Sequence, residues 1–293
     1  MKELKFIKDY RDHASLRKSF FELANSVFGI DFKKWYESGF WGGSYIPFSY
    51  VDEGRVVANV SLNVLDLLVD GKQHTALQIG TVMTEPHYRN RGLSKSLLNR
   101  VLEEYKNKCD FIYLFANQSV LDFYPKFGFN KVEEFQYTTD FSSDQKVKNK
   151  LYKLDSEKIA DLHFIYEFAK ERVPVSQRFA TLNSQGIFMY YCLNVFCDNL
   201  YYLDSEDAIV IFNKAENQID IFDIISKNEM NINRILNTIV GKGRKKIVFH
   251  YTPDYEGMIF ERNPIQCDDT LFVLTNGNYI FPERVKHPIT SIA

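Results

Sequence analysis

The feature that most constrains the fold of this chain is a strand that ends at a proline and runs into a basic, glycine-containing loop before a helix. The stretch reads Val82-Met83-Thr84-Glu85-Pro86-His87-Tyr88-Arg89-Asn90-Arg91-Gly92-Leu93-Ser94-Lys95. Main-chain N–H groups in the first turn of a helix lack intrahelical partners and point outward with the positive end of the helix dipole. The stretch therefore predicts a site for an anion, phosphate above all.

The charges of the loop and its surroundings strengthen this interpretation. Arg89, Arg91 and Lys95 add positive charge that can meet a pyrophosphate. Taken alone, the pattern is also typical of an ordinary basic surface turn. An apolar strand precedes it, however, and residues 92–108 carry leucine and valine at helical spacing. A second apolar run then ends at Asn117, and Tyr124 follows seven residues later.

Together these residues resemble the GNAT family (Gcn5-related N-acetyltransferases), which are acyl-CoA N-acyltransferases. In that family the loop reads R-x-x-G-x-G or R-x-x-G-x-A after the fourth strand, an Asn follows the fifth strand, and a Tyr precedes a Gly-Phe pair. Arg89, Gly92, Asn117 and Tyr124 match in order and spacing. Ser94 stands where the family usually has Gly or Ala, and it is small enough to admit a pyrophosphate. The resemblance covers about residues 1–140.

The resemblance implies an α/β fold with a mixed, twisted sheet whose fourth and fifth strands splay apart to admit the thioester of acetyl-CoA. The pantetheine arm would pair with the main chain of the fourth strand, and the pyrophosphate would lie on the loop. The implied acetyl-CoA contacts are Val82, Met83, Thr84, Arg89, Asn90, Arg91, Gly92, Leu93, Ser94, Lys95 and Asn117. Asn117 is also a plausible cap for the helical turn that follows it.

Acyl transfer to an amine requires loss of a proton from the acceptor, a donor to the oxyanion and a proton for the departing thiolate. By resemblance Tyr124 is the general acid; the alternative is a core tyrosine that packs the short helix. The position of Glu85 beside the loop favours a structural role over that of a base. The sequence leaves the general base open, a water chain included, and the side chains considered are Glu37, Asp52, Asp66 and His74. Four aromatic residues form either core or an acceptor pocket: Phe40, Trp41, Tyr45 and Phe48.

Composition limits the partners. The chain of 293 residues has a formal net charge of -2, which gives no overall attraction to nucleic acid or to an anionic membrane. Four cysteines without a C-x-x-C pair predict free thiols in a reducing compartment. The charged N-terminus is unlike a secretory signal, and no segment approaches the roughly 20 apolar residues of a spanning helix. We therefore expect a cytoplasmic protein without a bound metal, since no His, Cys and carboxylate spacing suits one.

A polar stretch at 142–150 predicts a linker between two domains, at residues 1–141 and 151–293. By the resemblance, the first is a catalytic GNAT domain and the second a degenerate GNAT-like domain. The second half would contain helices at 156–171, at 179–195 with a break at Gly186, and at 229–240. Its strands would be 208–213, 218–225 and 246–251. This outline resembles the tandem-GNAT acetyltransferases. Its counterpart of the anion loop, residues 226–230, has neither glycine nor arginine and should bind no pyrophosphate.

These expectations favour an acetyl-CoA-dependent N-acetyltransferase that transfers an acetyl group to a primary amine of a small molecule or peptide by direct attack in a ternary complex. The alternative is a non-catalytic acyl-CoA sensor on the same scaffold. An aminoacyl transferase of the cell-wall peptide-bridge type, which would use aminoacyl-tRNA, is disfavoured. That type lacks a working CoA loop, and the near-neutral net charge of this chain provides little electrostatic attraction for RNA. The sequence leaves open whether the protein forms a homodimer.

Overall fold

Two mixed β-sheets carry the fold, and each contains one parallel strand pair connected by a helix. The computed structural model describes residues 4–144, 150–266 and 268–293. The first half forms β1 (Lys5–Lys8), α1 (Ala14–Phe28), α2 (Lys33–Glu37), β2 (Tyr45–Asp52), β3 (Arg55–Val69), β4 (Lys72–Thr84), α3 (Leu93–Tyr105), β5 (Phe111–Asn117), β6 (Asn130–Val132) and β7 (Phe135–Ser143).

The second half adds further helices and strands to both sheets. They are β8 (Leu151–Lys153), α4 (Ile159–Glu171), β9 (Phe179–Leu182), α5 (Gln185–Asn194), β10 (Leu200–Leu203), β11 (Ala208–Lys214), β12 (Gln218–Ser226), α6 (Ile232–Val240), β13 (Gly243–Phe249), β14 (Glu261–Pro264) and β15 (Asp269–Thr275). No helix among these described elements is long and apolar enough to cross a membrane.

The first sheet has the strand order β1-β2-β3-β4-β5-β15-β6, with β9 paired to β3. Strands β4 and β5 run parallel, and their pairing extends only from Ala76 opposite Phe111 to Ile79 opposite Leu114. Beyond Ile79 the register of β4 on β3 shifts, and Thr81 adopts a left-handed φ of 47°. This bulge redirects β4 at the point where it parts from β5.

The second sheet has the order β14-β7-β13-β12-β11-β10-β8. Strands β12 and β13 are its parallel pair, and α6 connects them as α3 connects β4 and β5. The repeated strand, helix and parallel strand agree with the outline expected from the sequence. Whether the second half is a degenerate GNAT domain stays a prediction.

The two sheets exchange strands across the boundary predicted from the sequence. Strand β7 precedes that boundary but pairs with β13 and β14, whereas β15 comes from the far end of the chain and lies between β5 and β6. Residues 1–141 and 151–293 therefore do not correspond to separate sheets. The linker prediction is wrong for Ser142 and Ser143, which end β7; residues 145–149 of that stretch lie outside the described residues.

One predicted helix is shorter than expected. Residues 179–182 form strand β9 instead of its first turn, because the Phe-Ala-Thr-Leu sequence pairs with β3 from Val69 to Asp66. Asn183 then turns the chain with a φ of 60°, and α5 begins only at Gln185. Strands β10, β14 and β15 have no counterpart in the expected element list.

Apolar packing unites the two halves. A buried cluster joins α1, α2, α4 and α5, with Phe20, Trp35, Ile165 and Phe188 among its members. Helix α3 packs on β3 and β4 through its own buried stripe, which consists of Leu97, Leu98 and Val101. Cys109, Cys192 and Cys197 are free thiols, the first two buried, and Cys267 lies outside the described residues.

Candidate active site

A cavity of about 780 Å³ opens where β4 and β5 separate. It extends from the basic loop, past the bulge in β4 and the end of β5, to the C-terminal part of α1, to α2 and to α5. The sequence-predicted residues that line it are Val82, Met83, Thr84, Arg89, Asn90, Gly92, Leu93, Ser94, Lys95, Asn117 and Tyr124. Residues distant in the sequence therefore meet at one cleft.

The basic loop presents free main-chain donors to this cavity. Gly92 is the N-cap of α3 with a left-handed φ of 74° and no side-chain cap. The first-turn N–H groups of Leu93, Ser94 and Lys95 are consequently available to an anion. A Cβ on Gly92 would meet open space, so the backbone conformation, and not crowding, is what favours glycine here.

The side chains of the loop divide into two groups. Arg89 donates from Nε to the Thr84 carbonyl at 3.2 Å, and the hydroxyls of Thr84 and Ser94 lie 2.8 Å apart. These residues and Lys95 face the cavity. Arg91 donates to the His87 carbonyl at 2.8 Å and is not among the lining residues. The structure thus brings Arg89 and Lys95, but not Arg91, to the cleft.

The bulge in β4 is held by buried polar groups. The side-chain amide of Asn59 donates to the Thr81 carbonyl at 2.9 Å, and the Tyr45 hydroxyl lies 2.7 Å from the Thr81 hydroxyl. Asn59 is fully buried, so its side-chain amide holds the Thr81 carbonyl from the core side of the bulge. The main chain of Val82 and Met83 is thereby fixed along the wall of the cavity.

Tyr124 both packs in the core and reaches the cavity. Its ring lies 5.1 Å from that of Phe123 and 6.0 Å from that of Phe272, and only 4% of the residue is exposed. Among the described residues its hydroxyl has no hydrogen-bond partner, and burial raises the pKa of Tyr124 to about 12. The hydroxyl is therefore protonated at neutral pH and free to donate.

Asn117 caps the turn that follows β5, and its contact with acetyl-CoA stays a prediction. Its Oδ1 accepts from the Ser119 N–H at 3.1 Å and from the Ser119 hydroxyl at 2.6 Å, which caps the following turn. The residue also lines the cavity at the end of β5.

None of the side chains considered as a general base lines the cavity in the described parts of the chain, and neither does Glu85; the base candidates were Glu37, Asp52, Asp66 and His74. Glu85 accepts from the His87 N–H at 3.0 Å, which is the structural role that its position suggested. His74 instead lies 3.2 Å from Asp110.

Among the described lining residues the acidic side chain is that of Asp269, the first residue of β15, which lies opposite Asn117 in the strand pairing. Burial, with a smaller contribution from Asp268, raises the pKa of its carboxyl group above the ordinary value. Asp269 was not among the residues predicted from the sequence. An aspartate ahead of the apolar run Thr270-Leu271-Phe272-Val273-Leu274 was the available signal.

Aromatic residues line a part of the cavity that the basic loop does not form. Of the four aromatic residues proposed for an acceptor pocket, Tyr45 lines the cavity, whereas Phe40, Trp41 and Phe48 are core. Besides Tyr124, eight other aromatic residues line it that were not expected in an acceptor pocket: Phe28, Phe32, Trp35, Tyr88, Phe115, Phe123, Tyr190 and Tyr191. No group of three His, Cys, Asp or Glu side chains in the described ranges could hold a metal ion.

The sequence model of one protein family matches part of the chain. Residues 8–132 match the sequence model of a family described as an acetyltransferase (GNAT) domain. This range contains the basic loop, Asn117 and Tyr124. No curated protein sequence matches the chain.

Solved structures share the fold over nearly the whole chain. A probable N-acyltransferase of unknown function from Enterococcus faecalis V583 is 13% identical with a TM-score of 0.62, covering 94% of this chain and 73% of that chain. Eis1 from Mycobacterium abscessus is 11% identical with a TM-score of 0.58, covering 92% and 72%. A GCN5-related N-acetyltransferase from Kribbella flavida is 13% identical with a TM-score of 0.53, covering 92% and 70%. At such identities the likeness establishes a common fold.

Proposed function

We propose, from the premise that residues 8–132 belong to the GNAT acetyltransferase family, that this protein transfers an acetyl group from acetyl-CoA to a primary amine of a small molecule or peptide. Family and fold support acyl transfer in general. The acetyl donor, the amine acceptor and direct attack in a ternary complex are the finer parts of the proposal.

One observation carries the proposal: free helix N-terminal amides, a protonated tyrosine and a carboxyl group line the same cavity. The amides and the positive charges of Arg89 and Lys95 suit the pyrophosphate of CoA. The volume of about 780 Å³ lies in the range of pockets that enclose a cofactor-sized ligand.

Each step of the transfer then has a candidate group. Acetyl-CoA, when bound, supplies the thioester carbonyl carbon that the amine nitrogen attacks. A main-chain N–H of Val82 or Met83 would donate to the oxyanion, and Tyr124 would give its proton to the thiolate as the C–S bond breaks. Such direct attack needs no nucleophile from the protein.

We assign the base role to Asp269, which would accept the proton that the amine loses. Burial moves its pKa upward, toward the range in which a carboxylate removes protons effectively. Activity should therefore fall as pH drops through that raised pKa. In Asp269→Asn the acidic limb of the kcat profile should disappear and kcat should drop about 10²-fold. An unchanged acidic limb would leave the base role to water.

The division of labour between the two halves is also a proposal. The range 1–141 would carry the cofactor and the acid, and the range 151–293 would support it as a degenerate GNAT-like domain that lends Asp269 and α5 to the acceptor side. This division depends on the exchange of strands between the sheets, because Asp269 reaches the cavity through the pairing of β15 with β5.

The experiment that tests the function measures release of CoA from acetyl-CoA over a panel of primary amines. We expect release with at least one amine, and initial-rate lines that intersect when both substrates are varied, as a ternary complex requires. Parallel lines would contradict direct attack and indicate an acetyl-enzyme. Tight binding of acetyl-CoA without release over the whole panel would favour the sensor alternative.

A further inference from the structure

The cavity has an aromatic end that the transfer chemistry does not use. Its rings come from α1, α2, β2 and α5, and they contact one another. Phe32 lies 6.0 Å from Tyr45 and 5.6 Å from Tyr190 between ring centroids, and Trp35 lies 5.5 Å from Tyr45. An apolar or aromatic body would find complementary surface here.

This end is joined directly to the reactive part of the cleft. The hydroxyl of Tyr45 is bonded to Thr81, the bulge residue immediately before Val82. A molecule that stacks on these rings therefore lies beside the stretch of β4 whose main chain faces the thioester in our proposed function. The aromatic end is the natural place for the body of the acceptor.

A buried polar group beside the aromatic rings lacks a partner. Asn63 is 4% exposed, lines the cavity and is paired in register with Tyr45. Its Nδ2 has no hydrogen-bond partner among the described residues. Buried polar groups are nearly always paired, so an unpaired donor at a cavity points to a ligand. Because the terminal torsion of asparagine turns easily, the amide can present this donor to the cavity.

The charged side chains that line the cavity further limit the chemical class of the acceptor. The charged side chains among the described lining residues are Arg89 on the loop, Lys95 in the first turn of α3 and Asp269 on β15. Burial is the main cause that raises the pKa of the Tyr191 hydroxyl, and Asp269 lies close enough to add to this rise. Our proposed function already assigns this carboxylate to the reacting amine. Among the described lining residues no second acidic side chain is present to pair with a further positive charge of a polycationic acceptor.

Besides Asn63, the polar side-chain groups of the aromatic end in the described structure are the tyrosine hydroxyls and the Trp35 indole N–H. The Tyr45 hydroxyl is engaged with Thr81, and the indole donates to the Gly186 carbonyl at 2.7 Å.

We propose that the acceptor is a primary amine on an aromatic or branched apolar body that carries a hydrogen-bond-accepting oxygen, such as an amide carbonyl, for Asn63. This inference rests on the proposed function and specifies its substrate class. A polyamine is the alternative that it excludes.

The test compares kcat/KM for phenylalaninamide, phenethylamine and spermidine. Phenylalaninamide and phenethylamine differ by the carboxamide alone, so their ratio reports the oxygen contact. Because the two amines differ in basicity, this ratio is compared between the wild type and Asn63→Leu. We expect the variant to lower kcat/KM for phenylalaninamide at least about tenfold relative to phenethylamine.

Thr138→Val is the matched control. Its hydroxyl is also buried without a partner in the described structure, but the residue lies in β7 and away from the cavity. Both variants remove an unpaired polar atom and should keep the Tm of the wild type. Only Asn63→Leu should change the ratio of the two amines.

The outcomes separate the inference from the function on which it rests. An unchanged ratio in Asn63→Leu, or a higher kcat/KM for spermidine than for phenylalaninamide in the wild type, overturns the inference. Release of CoA with other amines but not with phenylalaninamide overturns it also, while the function stands. No release with any primary amine contradicts the function itself.

Discussion

The strand, loop, helix and parallel strand of the first sheet recur in the second sheet with the opposite outcome at the cleft. In the first unit β4 and β5 part after Ile79, the bulge lies at Thr81, and a cavity opens beyond it. In the second unit β12 and β13 part after Ile221, and the register of β12 on β11 shifts at Phe222. There, aromatic rings occupy the place beside the bulge.

The rings in the second unit pack closely. Phe222 stacks on Phe196 at 4.4 Å and lies 4.8 Å from the His250 ring, between ring centroids. The loop differs as well: α6 is capped by the Asn231 side chain, which accepts from the Arg234 N–H at 3.3 Å. We therefore expect this topology to bind an anion only where a glycine N-cap leaves the first-turn amides open and no ring fills the place beside the bulge.

The largest difference should appear in kcat when the tyrosine that follows the parallel pair β4 and β5 is compared with the tyrosine that follows the pair β12 and β13. Tyr124→Phe removes a hydroxyl that has no partner among the described residues, and we expect kcat to fall about 10²- to 10⁴-fold with little change in acetyl-CoA affinity. The counterpart Tyr255 is bonded to the Tyr251 hydroxyl at 2.7 Å. Tyr255→Phe should cost about 1 kcal/mol of stability and leave kcat intact. Equal kcat values for both variants would remove Tyr124 from the mechanism.

The loops provide the next contrast. Gly92→Val forces a branched residue into a left-handed conformation, so the first-turn amides of α3 should lose their alignment. Loss of two hydrogen bonds to a phosphate would raise the Kd of acetyl-CoA about 10²-fold, measured by calorimetry. The fold, followed by circular dichroism, should survive. A wild-type Kd in this variant would show that CoA is bound elsewhere.

These two loops also show which parts of the candidate site could be predicted from the sequence. Arg89, Gly92 and Asn117 were identifiable because anion binding at a helix start depends on local chain geometry, which a short motif encodes. Asp269 was not, because its position depends on β15 crossing from the far end of the chain to lie beside β5. Arg91 has the right charge but turns toward His87. Contacts fixed by tertiary pairing are beyond what local periodicity can predict.

The filled second cleft predicts a stability effect without a gain of function. Phe222→Ala removes stacking on Phe196 and His250 and should lower the free energy of unfolding by about 2 kcal/mol, as for a partly buried ring. Chemical denaturation measures this loss. No second site for acetyl-CoA should appear, because Asn231 still caps α6. A second binding event would mean that ring packing alone closes the second unit.

The segment after β15 connects the two units, and its histidine should make their stability depend on pH. His287 is fully buried against Tyr113, and burial lowers its pKa from 6.5 to about 3. The unfolded chain therefore binds a proton that the folded protein does not, so stability falls as pH drops below 6.5.

The expected contribution of His287 is about 1.4 kcal/mol per pH unit between pH 6.5 and pH 3. His287→Gln should remove that part of the slope in denaturation curves measured at several pH values. A single transition at each pH would show that the units unfold together. An unaltered slope in the variant would assign the acid sensitivity to other groups.

The smallest effect is expected at the cap of the second loop. Asn231→Ala leaves the Arg234 N–H without its side-chain acceptor, which should cost about 1 kcal/mol of stability. The affinity for acetyl-CoA should be that of the wild type, so this variant is the matched control for Gly92→Val. A weaker Kd here would implicate the second unit in CoA binding.

The central claim is that one of two similar units binds CoA, and the number of acetyl-CoA molecules bound per chain tests it most directly. Isothermal titration of acetyl-CoA into the whole protein should give one site per chain. The titration should be unaltered in Asn231→Ala and strongly weakened in Gly92→Val. Two sites per chain, or no heat of binding at all, would contradict the claim.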